Sequence, residues 1–198
     1  MNDSRSIREL FARLFVIAVQ NKANLFSFTY LLSKSAFVAK IENGQYDDYF
    51  NKPLEQIFYD VTGYQVGVDN SYGVFNDAYW CGHSYYEIHT RTKKPFAYIF
   101  MKLPLNKLMD AYPVYHEMDI SSLLDYFAEE EKKKTILRLL CEQNKTSLAK
   151  LGTSTGIGLA TLSKYNASDE ALYKGSFQNV IRIANAFNAP VNLFASHT

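Results

Sequence analysis

The chain has 198 residues, of which 47% are hydrophobic and 21% charged, a composition that excludes a disordered or collagen-like protein. No apolar run approaches the roughly 20 residues of a membrane span, and no segment near the start has the apolar core and cleavage site typical of a signal peptide. Cys81 and Cys141 allow one disulfide, but we expect two free thiols in a reducing cytoplasm.

The charge is unevenly distributed along the chain. Residues 1–130 contain 12 Lys and Arg against 16 Asp and Glu, a net charge of −4, whereas residues 131–198 contain 9 against 4, a net charge of +5. The sequence therefore predicts an acidic first part and a basic second part that is better suited to a polyanion.

Helical periodicity dominates the first part. Apolar residues recur every three or four positions from Ile7 to Val19, after Asp3 or Ser4 as a cap, which predicts a long first helix. Further helices are predicted over residues 25–32, 35–43, 53–63, 78–92, from Pro95 onward, 104–113 and 119–127. Gly44 is expected to cap the 35–43 helix and Pro113 to end the 104–113 helix. A small β-hairpin is predicted within residues 64–75.

The sequence EEEKKK at residues 129–134 predicts a solvated helical joint supported by Glu-to-Lys pairs. We place a domain boundary there, which gives an acidic, aromatic-rich helical domain over residues 1–130 and a second domain over residues 131–198. The fold class predicted for the whole chain is mainly α.

The second domain shows five helical signals in a short span. They are centred on Ile136–Cys141, Ser147–Leu151, Leu159–Tyr165, Phe177–Phe187 and Pro190–Phe194. A glycine-containing turn, GTSTGIG, separates the second signal from the third. It lacks the Gly-Lys-Ser/Thr ending of a nucleotide-binding loop and follows a helix, so we do not expect nucleotide binding.

The order and spacing of these signals resemble the helix-turn-helix of the Cro/phage-repressor (Xre-like) family. The residues that carry the resemblance are TSLAKLGTSTGIGLATLSKYN, residues 146–166, and GSFQNVIRIANAFNAPVNLF, residues 175–194. Leu148-Ala149, Gly156-Ile157, Thr161-Leu162-Ser163 and the Leu193-Phe194 ending match the family's pattern. The resemblance covers about 60 residues, and it implies two short helices joined by a turn, the second of which enters a DNA major groove.

The resemblance assigns DNA-contacting roles residue by residue. The residues at base-facing positions are Gly158, Leu159, Ala160, Thr161, Ser163 and Lys164. The residues expected to contact phosphates are Lys145, Thr153, Ser154, Thr155, Lys174, Ser176 and Gln178. Glycine, leucine and alanine depart from the usual base readers, because they offer only an apolar contact to the thymine methyl group. We therefore expect weak direct readout, with most of the affinity coming from phosphates.

Other chemistry is weakly supported in the first domain. The available metal ligands are Cys81, His83, His89, His116 and Glu117, and they lack a second pair at a ligand spacing, so we expect no metal and no cofactor. A Cys81–histidine pair would be the only catalytic candidate, and nothing marks Cys81 as activated. We expect no enzymatic activity.

Tyrosines are abundant in the first domain, and two explanations for them stay open. They are Tyr46, Tyr49, Tyr59, Tyr64, Tyr72, Tyr79, Tyr85 and Tyr86. They form either an aromatic core with hydroxyls at its rim or a surface that binds a basic protein partner. Residues 78–127 also resemble small helical proteins encoded beside bacterial toxin genes.

These observations lead to one expected function and one alternative. We expect a cytoplasmic, dimeric, double-stranded-DNA-binding regulator of a bacterial or phage operon, with an antitoxin-like role and a toxin-like protein partner for the first domain. No membrane association is expected. The alternative is a protein-interaction module whose helix-turn-helix serves dimerisation or partner binding rather than DNA.

Overall fold

A computed structural model describes residues 3–45, 47–66 and 75–194, with side chains from Ile7 onward. The secondary structure of these residues is helical, with no strand among them, which confirms the mainly α prediction. The predicted hairpin falls largely on residues 67–74, which lie outside the described residues. None of the described helices is long and apolar enough to cross a membrane.

The chain divides into two compact units, Met1–Tyr126 and Phe127–Thr198. The division falls inside a helix, Ile120–Lys133, slightly before the boundary that we predicted between residues 130 and 131.

The described residues of the first unit form seven α-helices and the start of an eighth. In chain order they are α1 (Asp3–Gln20), α2 (Leu25–Lys34), α3 (Ala36–Glu42), α4 (Leu54–Thr62), α5 (Asn76–Thr92), α6 (Phe96–Lys102), α7 (Leu105–Tyr115) and α8 (Ile120–Lys133). A short 3₁₀ turn, Asp47–Tyr49, lies between α3 and α4. Gly44 and Gly63 have positive φ after α3 and α4, which confirms the predicted cap at Gly44.

Pro113 lies inside α7 instead of ending it, so that prediction was wrong. The proline is in the last turn, where the missing amide costs a single helical hydrogen bond. The next turn is closed by His116, whose amide donates to the carbonyl of Tyr112 at 3.0 Å.

The core of the first unit forms where α1 packs against α5. Phe11 and Phe15 on α1 are fully buried; Phe11 stacks on Phe96 at 4.6 Å, and Phe15 meets Phe28 edge-on at 5.2 Å. The Tyr85 hydroxyl is also buried and donates to the carbonyl of Leu103 at 2.8 Å, so this tyrosine is satisfied inside the core.

The crossing of α1 and α5 is unusually close at Gly82. A Cβ atom placed on Gly82 would lie 2.5 Å from the backbone Cα of Ala12 and 3.0 Å from the ring of Phe15. The two helix backbones are therefore in direct contact, and no side chain larger than hydrogen fits between them.

The second unit has helical structure at the five predicted signals and one further helix, Asp169–Tyr173, that the sequence did not predict. Its helices are α9 (Ile136–Gln143), α10 (Leu148–Thr155), α11 (Leu159–Ala167), α12 (Asp169–Tyr173) and α13 (Phe177–Ala186), followed by a 3₁₀ turn, Val191–Phe194. The core residues of this unit with no exposed surface are all aliphatic: Ile136, Leu137, Leu162, Leu172 and Ile183.

Two apolar residues within the predicted helical signals, Leu148 and Ile181, are only half-buried. On α13 the buried face is formed by Val180, Ile183 and Ala184, and Ile181 is rotated about 100° from Val180. Leu148 is the first residue of α10, whose buried contact comes from Leu151 one turn later.

The close approach at Gly82 predicts the sign of a substitution. Helix propensity alone would make Gly82→Ala stabilising by about 1 kcal/mol. We expect the added methyl group to lower the free energy of unfolding of the full-length chain by about 1–3 kcal/mol instead, because it meets backbone. Urea unfolding followed by circular dichroism measures the change.

A second variant for this test combines Gly82→Ala with Ala12→Gly. It removes the Cβ atom of Ala12 but leaves the Cα atom that the new methyl group meets. The double variant should therefore stay at least as unstable as Gly82→Ala. Stabilisation by Gly82→Ala would mean that the two backbones are not in contact.

Candidate nucleic-acid interface

The junction of α10 and α11 is a three-residue turn, 156–158, with a fixed backbone. Gly156 has φ 69° and ψ 17°, and its amide donates to the carbonyl of Gly152 at 2.9 Å, which closes α10. The next residue, Ile157, is 5% exposed and anchors the turn in the core. A residue with a side chain is strained at the Gly156 backbone angles, so the turn depends on glycine there.

Glycine is also required for close packing on the inner side of this turn. A Cβ atom on Gly152 would lie 3.1 Å from the carbonyl oxygen of Ile157 and 3.5 Å from a methyl group of Leu162. The end of α10 thus contacts both the turn and the buried face of α11.

Tyr165 fixes the orientation of α11. Its hydroxyl accepts a hydrogen bond from the side-chain amide of Asn179 on α13 at 3.2 Å. Gly175 leaves room for the ring, since a Cβ atom there would lie 2.6 Å from the hydroxyl oxygen of Tyr165. Tyr165 itself is 7% exposed, so α11 is held against the segment before α13.

Two hydrogen bonds from the start of α9 hold the far end of α11 and the start of α12. The Thr135 hydroxyl donates to the carbonyl of Asn166 at 2.9 Å, and the Ile136 amide donates to the Asp169 carboxylate at 2.6 Å. With both ends fixed, α11 is a rigid element whose outer face is available to a ligand.

The base-facing residues of the sequence prediction lie on or next to that outer face. Gly158, Leu159, Ala160, Ser163 and Lys164 are exposed. Thr161 is half-buried, and its amide donates to the carbonyl of Gly158 at 3.0 Å.

The start of α11 has no side-chain cap. Ser147, Ser168 and Ser176 precede α10, α12 and α13, and each hydroxyl accepts from an amide in the first turn of its helix. Gly158 precedes α11 and has no side chain to do so. The amides of Leu159 and Ala160, the first two of α11, are therefore left to solvent or to a ligand.

The side chains of the predicted phosphate-contacting residues differ in whether they are already hydrogen-bonded within the second unit. Thr153, Ser154 and Thr155 direct their hydroxyls back to carbonyls of α10, at distances from 2.6 to 3.2 Å. These hydroxyls keep acceptor capacity, but their protons are engaged, so they are weaker phosphate donors than we expected.

The remaining predicted phosphate contacts are exposed. They are Lys145, Lys174, Ser176 and Gln178. Ser176 is engaged as the cap of α13, and Lys174 pairs with Glu170 at 2.5 Å. Lys145 has positive φ, 47°, directly after α9 and presents its side chain to solvent.

Five carboxylates of the second unit are engaged within that unit. The contacts are Glu129–Lys132, Glu130–Lys133, Glu142 with Lys134 and Arg138, Glu170–Lys174, and Asp169 with the Ile136 amide. Hydrogen bonds from Lys134 and Lys174 hold the pKa values of Glu142 and Glu170 below their usual range. Exposed pairs of this kind add little stability, but they cancel charge locally.

Four cations remain without a carboxylate partner among the described residues of the second unit: Lys145, Lys150, Lys164 and Arg182. All four are exposed, and we call them the unpaired cations. Lys145 and Lys150 flank the start of α10. Lys164 is on α11, and the Arg182 guanidinium on α13 lies 4.0 Å from the position that a Cβ atom on Gly156 would occupy.

Sequence reasoning missed Lys150 and Arg182. Lys150 was recognisable, because its position three residues after the capping residue Ser147 puts it in the first turn of α10. Arg182 had no local signal, since only the packing of α13 brings it beside the turn that precedes α11.

The structure does not bring the candidate metal ligands of the first unit together. No group of three or more His, Cys, Asp or Glu able to hold a metal occurs among the described residues. His89 contacts the carbonyl of Lys94 at 2.7 Å and His116 that of Tyr112 at 2.8 Å. His83 stacks on Tyr79 and lies 3.5 Å from Glu9.

Cys81 is not an activated nucleophile. Both cysteines are free thiols, and Cys81 is fully buried. Burial raises the pKa of the Cys81 thiol far above its usual range, so the thiolate is not accessible at neutral pH.

The tyrosines of the first unit divide between core and surface. Tyr49, Tyr85 and Tyr86 are buried, whereas Tyr59 and Tyr64 are 45% and 70% exposed. Tyr79 is half-buried and donates to Glu9 at 2.5 Å; its burial and this hydrogen bond raise the pKa of Tyr79 to about 12. Tyr46 and Tyr72 lie outside the described residues.

No family model matches the chain, and no curated protein and no solved structure matches it either. The geometry and charge of the second unit are therefore the features from which a function can be inferred.

The two glycines of the turn predict opposite responses to the same substitution. Gly156→Ser should destabilise the second unit by about 1–2 kcal/mol, because serine is strained at positive φ even though the space is open. Gly158→Ser should stabilise it by about 0.5–1 kcal/mol, because φ is −58° and the hydroxyl caps α11.

Hydrogen–deuterium exchange of the full-length chain, resolved to peptides of α10 and α11, measures both changes locally. Equal effects of the two substitutions would show that the turn is not centred on Gly156.

Proposed function

We propose that the chain is a cytoplasmic DNA-binding transcriptional regulator of a bacterial or phage operon, with an Xre-like helix-turn-helix in its second unit. The observation that carries the proposal is the α10–α11 junction, in which a left-handed Gly156 and a buried Ile157 join two short helices. In proteins of this type the second helix lies in the major groove and the first crosses the phosphate backbone.

The distribution of charge supports a polyanionic ligand. Five carboxylates of the second unit are held in local contacts, so the four unpaired cations are free to meet phosphates. Lys145 and Lys150 beside the start of α10 are in the position that crosses the backbone in the proposed complex. The uncapped amides of α11 add further donors for a phosphate oxygen.

The proposal includes a homodimer and a role for the first unit. Helix-turn-helix proteins commonly bind two half-sites one helical turn apart with two copies of the chain. The acidic first part, with a net charge of −4 over residues 1–130, is proposed to bind a basic, toxin-like protein, as the antitoxin-like prediction requires. The exposed rings of Tyr59 and Tyr64 are amphipathic contact groups for that partner.

Salt dependence of DNA binding tests the proposal. We expect the full-length chain to bind a random pool of double-stranded DNA at about 25 mM salt and to lose affinity steeply by about 200 mM. Lys150→Ala and Lys164→Ala should each weaken binding to all sequences alike and reduce the slope of log affinity against log salt by about one. Fluorescence anisotropy at several salt concentrations gives both quantities.

The matched control is Lys132→Ala, which removes an exposed lysine that is paired with Glu129 at 2.9 Å. This variant should leave the slope unchanged, because its charge is already balanced locally. Absence of binding to any DNA at low salt would make the DNA-binding proposal wrong.

A second candidate function, a protein-interaction module, is favoured by one observation. Phe177 at the start of α13 is 73% exposed, so its aromatic ring is available to a protein partner. If DNA binding is absent, loss of self-association in Phe177→Ser, measured by light scattering, would support this candidate.

A further inference from the structure

The tip of α11, residues 158–160, offers no hydrogen-bonding side chain to a base. Gly158, Leu159 and Ala160 are exposed, and the first polar side chain, that of Thr161, is half-buried. The bidentate contacts by which Arg, Asn and Gln distinguish bases are therefore missing where the proposed complex places them.

Leu159 is exposed although its helix has an apolar core face. The inner contacts of α11 are made by Leu162, which is fully buried, and Tyr165, whereas Leu159 remains 55% exposed. Nothing in the described part of the second unit covers this side chain, so its burial on binding would contribute to affinity through the hydrophobic effect.

The thymine methyl group is the apolar feature that base pairs present in the major groove. A·T and T·A pairs carry it at different positions, and G·C pairs lack it. A leucine beside an alanine at a helix tip can pack against a methyl group, but neither side chain can form a hydrogen bond with a donor or acceptor on a base. Gly158 keeps the approach open, because a Cβ atom there would meet nothing within 4 Å.

We propose that the second unit selects its DNA site by the C5 methyl groups of thymine, which Leu159 contacts in the major groove, while phosphate contacts supply most of the affinity. This inference rests on the proposed DNA-binding function and names the sequence feature that is read. It makes Leu159 a specificity-determining residue, and it makes the preferred sites thymine-containing.

Replacement of thymine by uracil tests the inference, because it removes the methyl group and leaves the base-pairing groups in place. A double-stranded site is first selected from a random pool with the full-length chain and is then synthesised with deoxyuridine in place of thymidine. We expect the uracil site to bind about fourfold more weakly for each methyl group contacted, which is the effect of about one buried apolar carbon. The salt slope should be unchanged, because the phosphates are the same.

The variant Leu159→Asn tests whether the Leu159 side chain causes the preference for thymine over uracil. Asparagine is of similar size but polar, so the variant should bind thymine and uracil sites equally and keep the salt slope of the parent. The matched control is Val191→Asn, which changes an exposed apolar side chain, 44% exposed, on another element of the unit. The control should keep the preference for thymine.

The outcomes separate this inference from the proposed function. Binding with equal affinity for thymine and uracil sites overturns the methyl readout and leaves DNA binding in place. A preference for thymine that persists in Leu159→Asn also overturns it, because another group then reads the methyl. Absence of DNA binding at low salt overturns the proposed function itself, and self-association lost in Leu159→Asn would then assign this tip to a protein contact.

Discussion

The left-handed backbone at Gly156 is the constraint on which the arrangement of the second unit depends. It ends α10, directs Ile157 into the core and sets the direction in which α11 leaves the turn. Gly152 and Gly175 then allow close contacts on either side, with Ile157 and Tyr165 respectively. Since both the turn and the far end of α11 are held, the exposed tip of α11 has a defined position, as a recognition element requires.

The groups that the second unit presents to a ligand are the unpaired cations and the apolar start of α11. Five of its carboxylates are engaged in local ion pairs and in a hydrogen bond to the start of α9, so the unpaired cations determine the field that a ligand meets. The tip of α11 is apolar and uncapped. For the proposed DNA complex, attraction to phosphates combined with an apolar tip predicts salt-dependent binding with modest sequence discrimination.

The sequence predicted most of the helices, because apolar periodicity, capping serines and glycines at helix ends are local signals. It placed the start of the turn too early, since residues 152–155 of the predicted turn belong to α10. It could not predict contacts that depend on tertiary packing. The approach of Arg182 to the turn, the space that Gly175 leaves for Tyr165 and the backbone contact at Gly82 involve residues far apart in the chain. The error at Pro113 has the same origin, because a proline in the last turn of a helix costs too little to end it.

The most direct test of the account is hydrogen–deuterium exchange of the full-length chain with and without double-stranded DNA at low salt. If α10 and α11 bind DNA as proposed, exchange should become slower at the starts of these two helices, where Lys150 and the uncapped amides are expected to meet phosphates. Peptides from the α1–α5 core should exchange unchanged. Unchanged exchange throughout α10 and α11 at saturating DNA, or protection confined to the first unit, would contradict the proposed DNA-binding role of these two helices.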